Sequence, residues 1–244
     1  MREDERIEDL QYKGLRIIVS SKGFRYGTDS VLLAGFARAK AKERVADLGS
    51  GTGIIAILLQ ARTGAELTAI EIQPEQCDMA RRSAEMNGQP ITVIEADMRG
   101  GELKKLGKFD AAVCNPPYYP AGHGKISAKG EEGFEGAAKH ELYCTLEEVA
   151  KAASGIIKYG GRFYMCCPAA RLSEALCALT AQRLEPKRMR LVSSREEKEP
   201  YLALIEAKKG AAPGMKVEKG LVISNSDGSY TEELRKIYHL DENE

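Results

Sequence analysis

The stretch that decides the fold is Arg44-Val45-Ala46-Asp47-Leu48-Gly49-Ser50-Gly51-Thr52-Gly53, followed by Ile54 to Ala61. Its first five residues read as a buried strand and its last eight as a helix. The glycines between them let a backbone turn sharply and approach a ligand closely. A helix that starts directly behind such a turn offers unpaired N–H groups to whatever lies in front of it. The same alternation spreads outward along the chain. Strands are expected at Glu66 to Glu71, Ile91 to Glu95, Phe109 to Cys114 and Phe163 to Cys167. Pro74 suits the first position of a helix, and Asn87-Gly88 suits its end. Thr145-Leu146-Glu147-Glu148 has the form of a capping box. Behind it, Leu146, Val149, Ala150, Ala153, Ile156 and Ile157 share one helical face, and Gly160-Gly161 is expected to end that helix. Leu172, Leu176 and Leu179 mark another helix.

Strands that alternate with helices imply βαβ units and a mainly parallel sheet. Two further strands, Arg188 to Ser193 and Tyr201 to Ala207, are joined only by Ser194 to Pro200. That link is too short for a parallel crossover, so these two should pair as an antiparallel hairpin. The expectation is an α/β fold with a seven-stranded, mainly parallel sheet and an antiparallel C-terminal hairpin. Residues 44–209 form its core. Residues 1–43 are expected as an N-terminal extension packing on the core, with short strands near Leu10-Gln11-Tyr12 and Leu15 to Val19 and a helix after Thr28. Residues 210–244 are a tail of the same domain, with a short helix in Thr231 to Tyr238.

Composition removes several classes of function. The 244 residues carry 36 Lys+Arg against 36 Asp+Glu, which excludes a globally basic nucleic-acid binder but not a local basic face. With 43% hydrophobic residues the chain is not disordered by composition. Its longest wholly apolar run, Ile54 to Leu59, cannot span a bilayer, and the charged start Met1 to Arg6 is no secretory signal. Cysteines at 77, 114, 144, 166, 167 and 177 form no Cys-x-x-Cys pair, and only His123, His140 and His239 could supply imidazole. No metal site is expected, and the thiols read as reduced, apolar residues of a cytoplasmic protein.

The glycine loop reads Gly-x-Gly-x-Gly, with Asp47 two residues ahead of Gly49. A dinucleotide fingerprint would read Gly-x-Gly-x-x-Gly and seat a pyrophosphate. A carboxylate at Asp47 would repel that group, and suits a ligand bearing an ammonium or a sulfonium. Glu71, closing the next strand, is placed to accept ribose hydroxyls. Asp97, after the third strand, could accept from the exocyclic amine of an adenine. Amino acid, ribose and adenine with no phosphate describe S-adenosylmethionine. The expected cofactor contacts are Asp47, Gly49, Ser50, Gly51, Thr52, Gly53, Glu71, Ile72, Asp97, Met98 and Asn115.

The fourth strand runs into Asn115-Pro116-Pro117-Tyr118. Proline cannot donate to a ladder, so the strand stops there, and the pair of prolines stiffens the backbone. An exocyclic amine is a poor nucleophile because its lone pair is delocalised. The Asn115 side-chain oxygen and the Pro116 carbonyl can accept from its two N–H groups and aim that lone pair. Tyr118 can stack on the planar group. Positioning and acceptor dipoles then lower the barrier to methyl transfer. Asn115, Pro116, Pro117 and Tyr118 are the expected catalytic residues.

The glycine loop together with Asn115-Pro116-Pro117-Tyr118 resembles the class I, Rossmann-like S-adenosylmethionine-dependent amino-N-methyltransferases. Gly23-Phe24-Arg25-Tyr26-Gly27-Thr28-Asp29-Ser30-Val31-Leu32-Leu33-Ala34 is similar to the N-terminal signature of the tRNA(Val) adenine-N6 methyltransferase family. So are His140-Glu141 with Thr145-Leu146-Glu147, Glu185-Pro186-Lys187-Arg188, and Asp227-Gly228-Ser229-Tyr230-Thr231-Glu232-Glu233. The resemblance runs from about residue 8 to 239. It implies methylation of the adenine just 3′ of the anticodon, with Asp29 bordering the methionine end of the cofactor and Asn115 to Tyr118 receiving the base. The chain departs from that family at Cys166-Cys167-Pro168, where relatives carry His-Arg-Pro, and at Pro200-Tyr201, where they carry Ala-Asn. The same motifs also allow another RNA base, DNA adenine or a protein glutamine amide as acceptor. A different class of alternative is an RNA-binding module without catalysis.

On the substrate side, residues 119–139 form a long glycine-bearing link, suited to a lid. Lys187, Arg188 and Arg190 are the expected RNA contacts, with Lys208 and Lys209 beside them and Lys104, Lys105 and Lys108 as additions. No base-reading motif is present, which fits a loop target whose bases can be splayed out and flipped.

Overall fold

A computed structural model describes residues 1–21, 27–116 and 144–238. In chain order its strands are β1 (Glu5–Asp9), β2 (Arg16–Ser20), β3 (Arg44–Leu48), β4 (Glu66–Glu71), β5 (Thr92–Glu95), β6 (Phe109–Cys114), β7 (Ile157–Pro168), β8 (Leu184–Ser193), β9 (Pro200–Lys209), β10 (Lys216–Val217) and β11 (Leu221–Val222). Its α-helices are α1 (Thr28–Phe36), α2 (Ile54–Thr63), α3 (Pro74–Met86), α4 (Leu146–Ile156), α5 (Leu172–Ala181) and α6 (Glu232–Ile237).

The main sheet has the order β10-β8-β9-β7-β6-β3-β4-β5, with β11 also on β8. β3, β4, β5, β6 and β7 run parallel, and β9 lies antiparallel between β7 and β8. The chain therefore leaves β3 for β4 and β5 on one side and returns to β6 and β7 on the other. That reversal opens a crevice beyond the strand ends, the usual ligand position in such sheets.

Apolar residues cover both faces of the sheet, as a parallel sheet between helices requires. Val45, Leu67, Ala69, Val113, Tyr164 and Cys166 pack with α1 and α2 in one core. Ala46, Leu48, Ile70, Ala112, Phe163 and Met165 pack with α4 and α5 in the other. The Thr145 capping box forms as expected: Glu148 N–H donates to Thr145 Oγ1 at 3.2 Å, and Thr145 N–H to the Glu148 carboxylate at 2.9 Å. Such a cap stabilises a helix start by about 1 kcal/mol.

Three local expectations need correction. The first N-terminal strand is Glu5–Asp9, not Leu10 to Tyr12. Gln11 and Lys13 take left-handed backbone angles, so Leu10 to Leu15 form the turn, while Leu10 and Tyr12 stay buried. Gly160-Gly161 does not close α4, which already ends at Ile156. The pair lies inside β7, where the partner register jumps from Phe109↔Ile157 to Ala111↔Arg162. A Cβ on Gly161 would sit 2.9 Å from the Lys158 carbonyl, so this bulge admits only glycine. The seven strands from β3 to β9 are also extended at one edge, because β10 and β11 add two-residue pairings to β8. The β1–β2 hairpin is held to α3 by Arg82, which binds Glu5 at 2.8 Å, and by Ser83, which accepts from Ile18 N–H at 2.9 Å.

Candidate functional site

The parallel register sets the site. Asp47 pairs with Ala69 in β4 and with Val113 in β6. Glu71 pairs with Glu95 in β5. The ends of β3, β4, β5 and β6 therefore bring the glycine loop, Glu71, Asp97 and Asn115 to one edge.

Gly49, Gly51 and Gly53 all take positive φ, +66°, +56° and +87°. A Cβ there would also meet Met98 Cε at 3.0 Å, Gln76 Oε1 at 3.0 Å and Ala80 Cβ at 3.2 Å. Both the backbone conformation and the close approach of neighbours demand glycine. Asp47 is fully buried beneath this loop. Its Oδ2 accepts from Ala56 N–H at 3.2 Å, while Oδ1 has no partner among the described residues. Burial pushes its carboxyl up to about 7; the Ala56 N–H works against that shift and the Glu71 charge adds to it. A buried acceptor left unpaired is costly, and an ammonium group would satisfy it. Ser50 Oγ, also buried, has no partner among the described residues either. The donor set fits the amino-acid end of S-adenosylmethionine.

Glu71 is nearly buried. It accepts from Gly51 N–H at 2.9 Å on Oε2, and from Ile72 and Gln73 N–H at 3.0 Å on Oε1. A carboxylate offers about four acceptor sites, so these bonds leave capacity for roughly one hydroxyl rather than two. Ile72 beside it is 38% exposed, an apolar side chain facing solvent at the site edge. Asp97 is engaged by its neighbour: Arg99 Nε and Nη2 donate to its carboxylate at 2.6–3.0 Å. That pairing holds Asp97 below the usual carboxylate range. An adenine amine at Asp97 would share it with Arg99.

Asn115 leaves β6 on the α1 side. Its Nδ2 donates to Ser30 Oγ at 2.9 Å, and its Oδ1 accepts from Cys166 Sγ at 3.1 Å. Asp29, next to Ser30, is half-buried, and that burial raises its carboxyl pKa. Pro116 follows. Gly23 to Tyr26, Pro117, Tyr118, the 119–139 link and His140-Glu141 lie outside the described residues.

Residues 13–165 match the family described as methyltransferase small domain. The chain belongs to this methyltransferase family. A Porphyromonas gingivalis protein named tRNA1(Val) (adenine(37)-N6)-methyltransferase is 30% identical over 207 residues, covering 81% of this chain and 79% of the relative. A Bacteroides fragilis protein of the same name is 28% identical over 199 residues, covering 80% and 82%. Among solved structures, a predicted O-methyltransferase, protein Atu636 from Agrobacterium tumefaciens, superimposes with a TM-score of 0.70 at 23% identity. It covers 87% of this chain and 96% of that one. That likeness shows the shared Rossmann-like fold.

The basic residues named as RNA contacts all have protein partners. Arg188 is buried, stacked over the Phe36 ring at 3.7 Å. It donates to Glu206 at 2.8 Å and to the Phe36 carbonyl at 2.7 Å. Its guanidinium donors are thus directed at protein acceptors. Arg190 makes a two-pronged pair with Glu233 at 2.6 and 2.7 Å, and Lys187 donates to the Ala212 carbonyl at 3.1 Å. Lys108 and Lys209 bind carbonyls at the C-terminal end of α4, by the starting edge of the sheet, away from the crevice. Two partners of Asn115, Ser30 and Cys166, escaped the sequence reading. They lie 85 and 51 residues away, and no local pattern links them. Among the described residues no His/Cys/Asp/Glu group could hold a metal ion, and no helix is long and apolar enough to cross a membrane.

Proposed function

We propose that this methyltransferase moves the methyl group of S-adenosylmethionine to the exocyclic N6 of an adenine in tRNA, beside the anticodon. The reading rests on one observation above others. The Asn115 amide is held by Ser30 and Cys166 at the end of β6, one strand from the glycine loop. The names of the relatives from Porphyromonas gingivalis and Bacteroides fragilis support the acceptor.

When bound, S-adenosylmethionine supplies an electrophilic methyl group on a sulfonium. Asp47 would hold its ammonium, with the Gly49–Gly53 backbone around the amino-acid portion. Glu71 would take a ribose hydroxyl, Ile72 and Met98 would contact the cofactor, and Asp97 would receive its adenine amine. Asn115 Oδ1 and the Pro116 carbonyl would accept from the two N–H groups of the target amine. The Cys166 thiol is a weak donor, so a base N–H displaces it readily from Oδ1. Two acceptors on one amine favour a pyramidal nitrogen and localise its lone pair. As the N–C bond forms and the methyl–sulfur bond breaks to leave a neutral thioether, positive charge gathers on nitrogen and the same acceptors stabilise it. The methylated nitrogen is acidic, so its extra proton leaves without a strong base. Work on tRNA would place the protein in the cytoplasm.

The test is methylation with labelled donor on separate tRNA, DNA and protein fractions, followed by nucleoside mass spectrometry. N6-methyladenosine in tRNA is the expected product. Label confined to DNA or protein would reject the RNA acceptor. Absence of any heat with S-adenosylmethionine in calorimetry would reject catalysis in favour of a bare RNA-binding module.

A further inference from the structure

Among the described residues three aromatic side chains are exposed: Tyr159, Tyr201 and Tyr230. Tyr159 has a structural reason, since its hydroxyl donates to the Gly210 carbonyl at 2.8 Å. The other two stand at the crevice edge of the sheet. Tyr201 is the second residue of β9, one before Leu202, the partner of Pro168 at the end of β7. Tyr230 bridges to Ser224, just past β11, which pairs with the end of β8. Exposed rings that pack no core are unusual where burying them would stabilise the fold.

These rings converge on the start of α1. Tyr230 stacks on Tyr238 with centroids 6.1 Å apart and planes 19° from parallel. Tyr238 is hydrogen-bonded to the Thr28 side chain and lies within electrostatic reach of Asp29. Tyr201 lies on β9, which packs against α1; burial, and then Asp29, Tyr238 and Cys166, push its hydroxyl pKa up. Ser30, next in sequence to Asp29, holds Asn115. The aromatic group thus borders the same helix end and the same cysteine that fix the Asn115 amide.

The platform is also rigid. Thr231 Oγ1 donates to the Val222 carbonyl at 2.7 Å, and Thr231 N–H to that of Ile223 at 3.0 Å. Asn225 Nδ2 binds Ser229 Oγ at 3.0 Å and the Tyr230 carbonyl at 3.3 Å. Leu234 is fully buried, and Arg190 clamps Glu233 on α6. A preformed ring loses little freedom when a ligand stacks on it. The charge around them is balanced: Glu233 is paired with Arg190, and Glu232 with Lys236. Flat, apolar faces suit an aromatic ligand.

We propose that Tyr230, backed by Tyr238, and Tyr201 form a stacking platform for the nucleobases that flank the target adenine in a single-stranded RNA loop. The assignment rests on the RNA reading above. It explains the Asp227–Glu233 motif as a device that fixes a ring beside the catalytic amide. Recognition through stacking is tolerant of base identity, because every base has a π-face.

The test uses the full chain, S-adenosylmethionine, and a hairpin RNA with 2-aminopurine beside the target adenine. Tyr230→Ala and Tyr201→Ala should each raise KM for the RNA about five- to a hundred-fold. They should also blunt the 2-aminopurine quenching seen with wild type. Tyr230→Phe and Tyr201→Phe keep the ring and should restore KM to within about twofold of wild type. Calorimetry with S-adenosylmethionine checks that each variant is folded. KM unchanged in both alanine variants, with wild type active on RNA, overturns the platform and leaves the proposed function standing. Wild type inactive on RNA but active on protein or DNA overturns both.

Discussion

Replacing Asp47 with Asn changes the pH dependence of stability in a way the structure fixes. The Asp47 carboxyl is buried with Oδ1 unpaired, and its pKa lies at about 7 in the folded chain. In the unfolded chain it lies near the ordinary value, about 3.9. Between these values the folded state holds a proton that the unfolded state has released. Stability therefore falls as pH rises through this window, by about 1.4 kcal/mol per pH unit, and levels off above about pH 7. From about pH 5 to pH 8 the wild type loses about 3 kcal/mol through this group alone. The Asp47→Asn variant has nothing to titrate there, so its advantage over wild type should grow by about 3 kcal/mol across the same range. Urea denaturation followed by circular dichroism at several pH values reads this difference. Saturating S-adenosylmethionine should shrink it, because an ammonium partner favours the carboxylate. Two stability profiles that run parallel over that range would refute the assignment of a buried, unpaired carboxyl.

Other outcomes follow from the same geometry. Asn115→Ala should lower kcat about a hundredfold or more, while calorimetric affinity for S-adenosylmethionine stays close to wild type. Arg188→Met should destabilise the fold by about 3–5 kcal/mol in denaturant titration, since it leaves Glu206 unpaired under a broken ring contact. RNA affinity of the folded fraction should not change. Glu5 is held at about 2, chiefly by its hydrogen bond to Arg82. Its contribution is present above the ordinary glutamate value of 4.5 and is lost as pH falls toward about 2. Acid titration of Glu5→Gln should lack that part of the loss.

Much of the fold was legible because its signals are local. Buried parallel strands must be short apolar runs, and the helices between them must carry an apolar stripe. The strand from Arg44, the capping box at Thr145 and the hairpin of β8 and β9 all satisfy that logic. The misplaced elements lacked a local signal. β10 and β11 have two residues each, too few for a period, and exist because β8 offers an open edge. Gly160-Gly161 has the composition of a helix stop, yet its role is a bulge set by the neighbouring strand.

The candidate site divides along the same line. The glycine turn, the carboxylates at strand ends and the proline-stiffened Asn115 could be read from residue order, because each depends on backbone conformation or spacing within a few residues. That Ser30 and Cys166 grip Asn115, and that Arg188 lies over Phe36 instead of facing solvent, came from the packed chain alone. So did the stacking of Tyr230 on Tyr238. A side chain's charge or ring is written in its residue type, but its partner is chosen by which strands lie side by side.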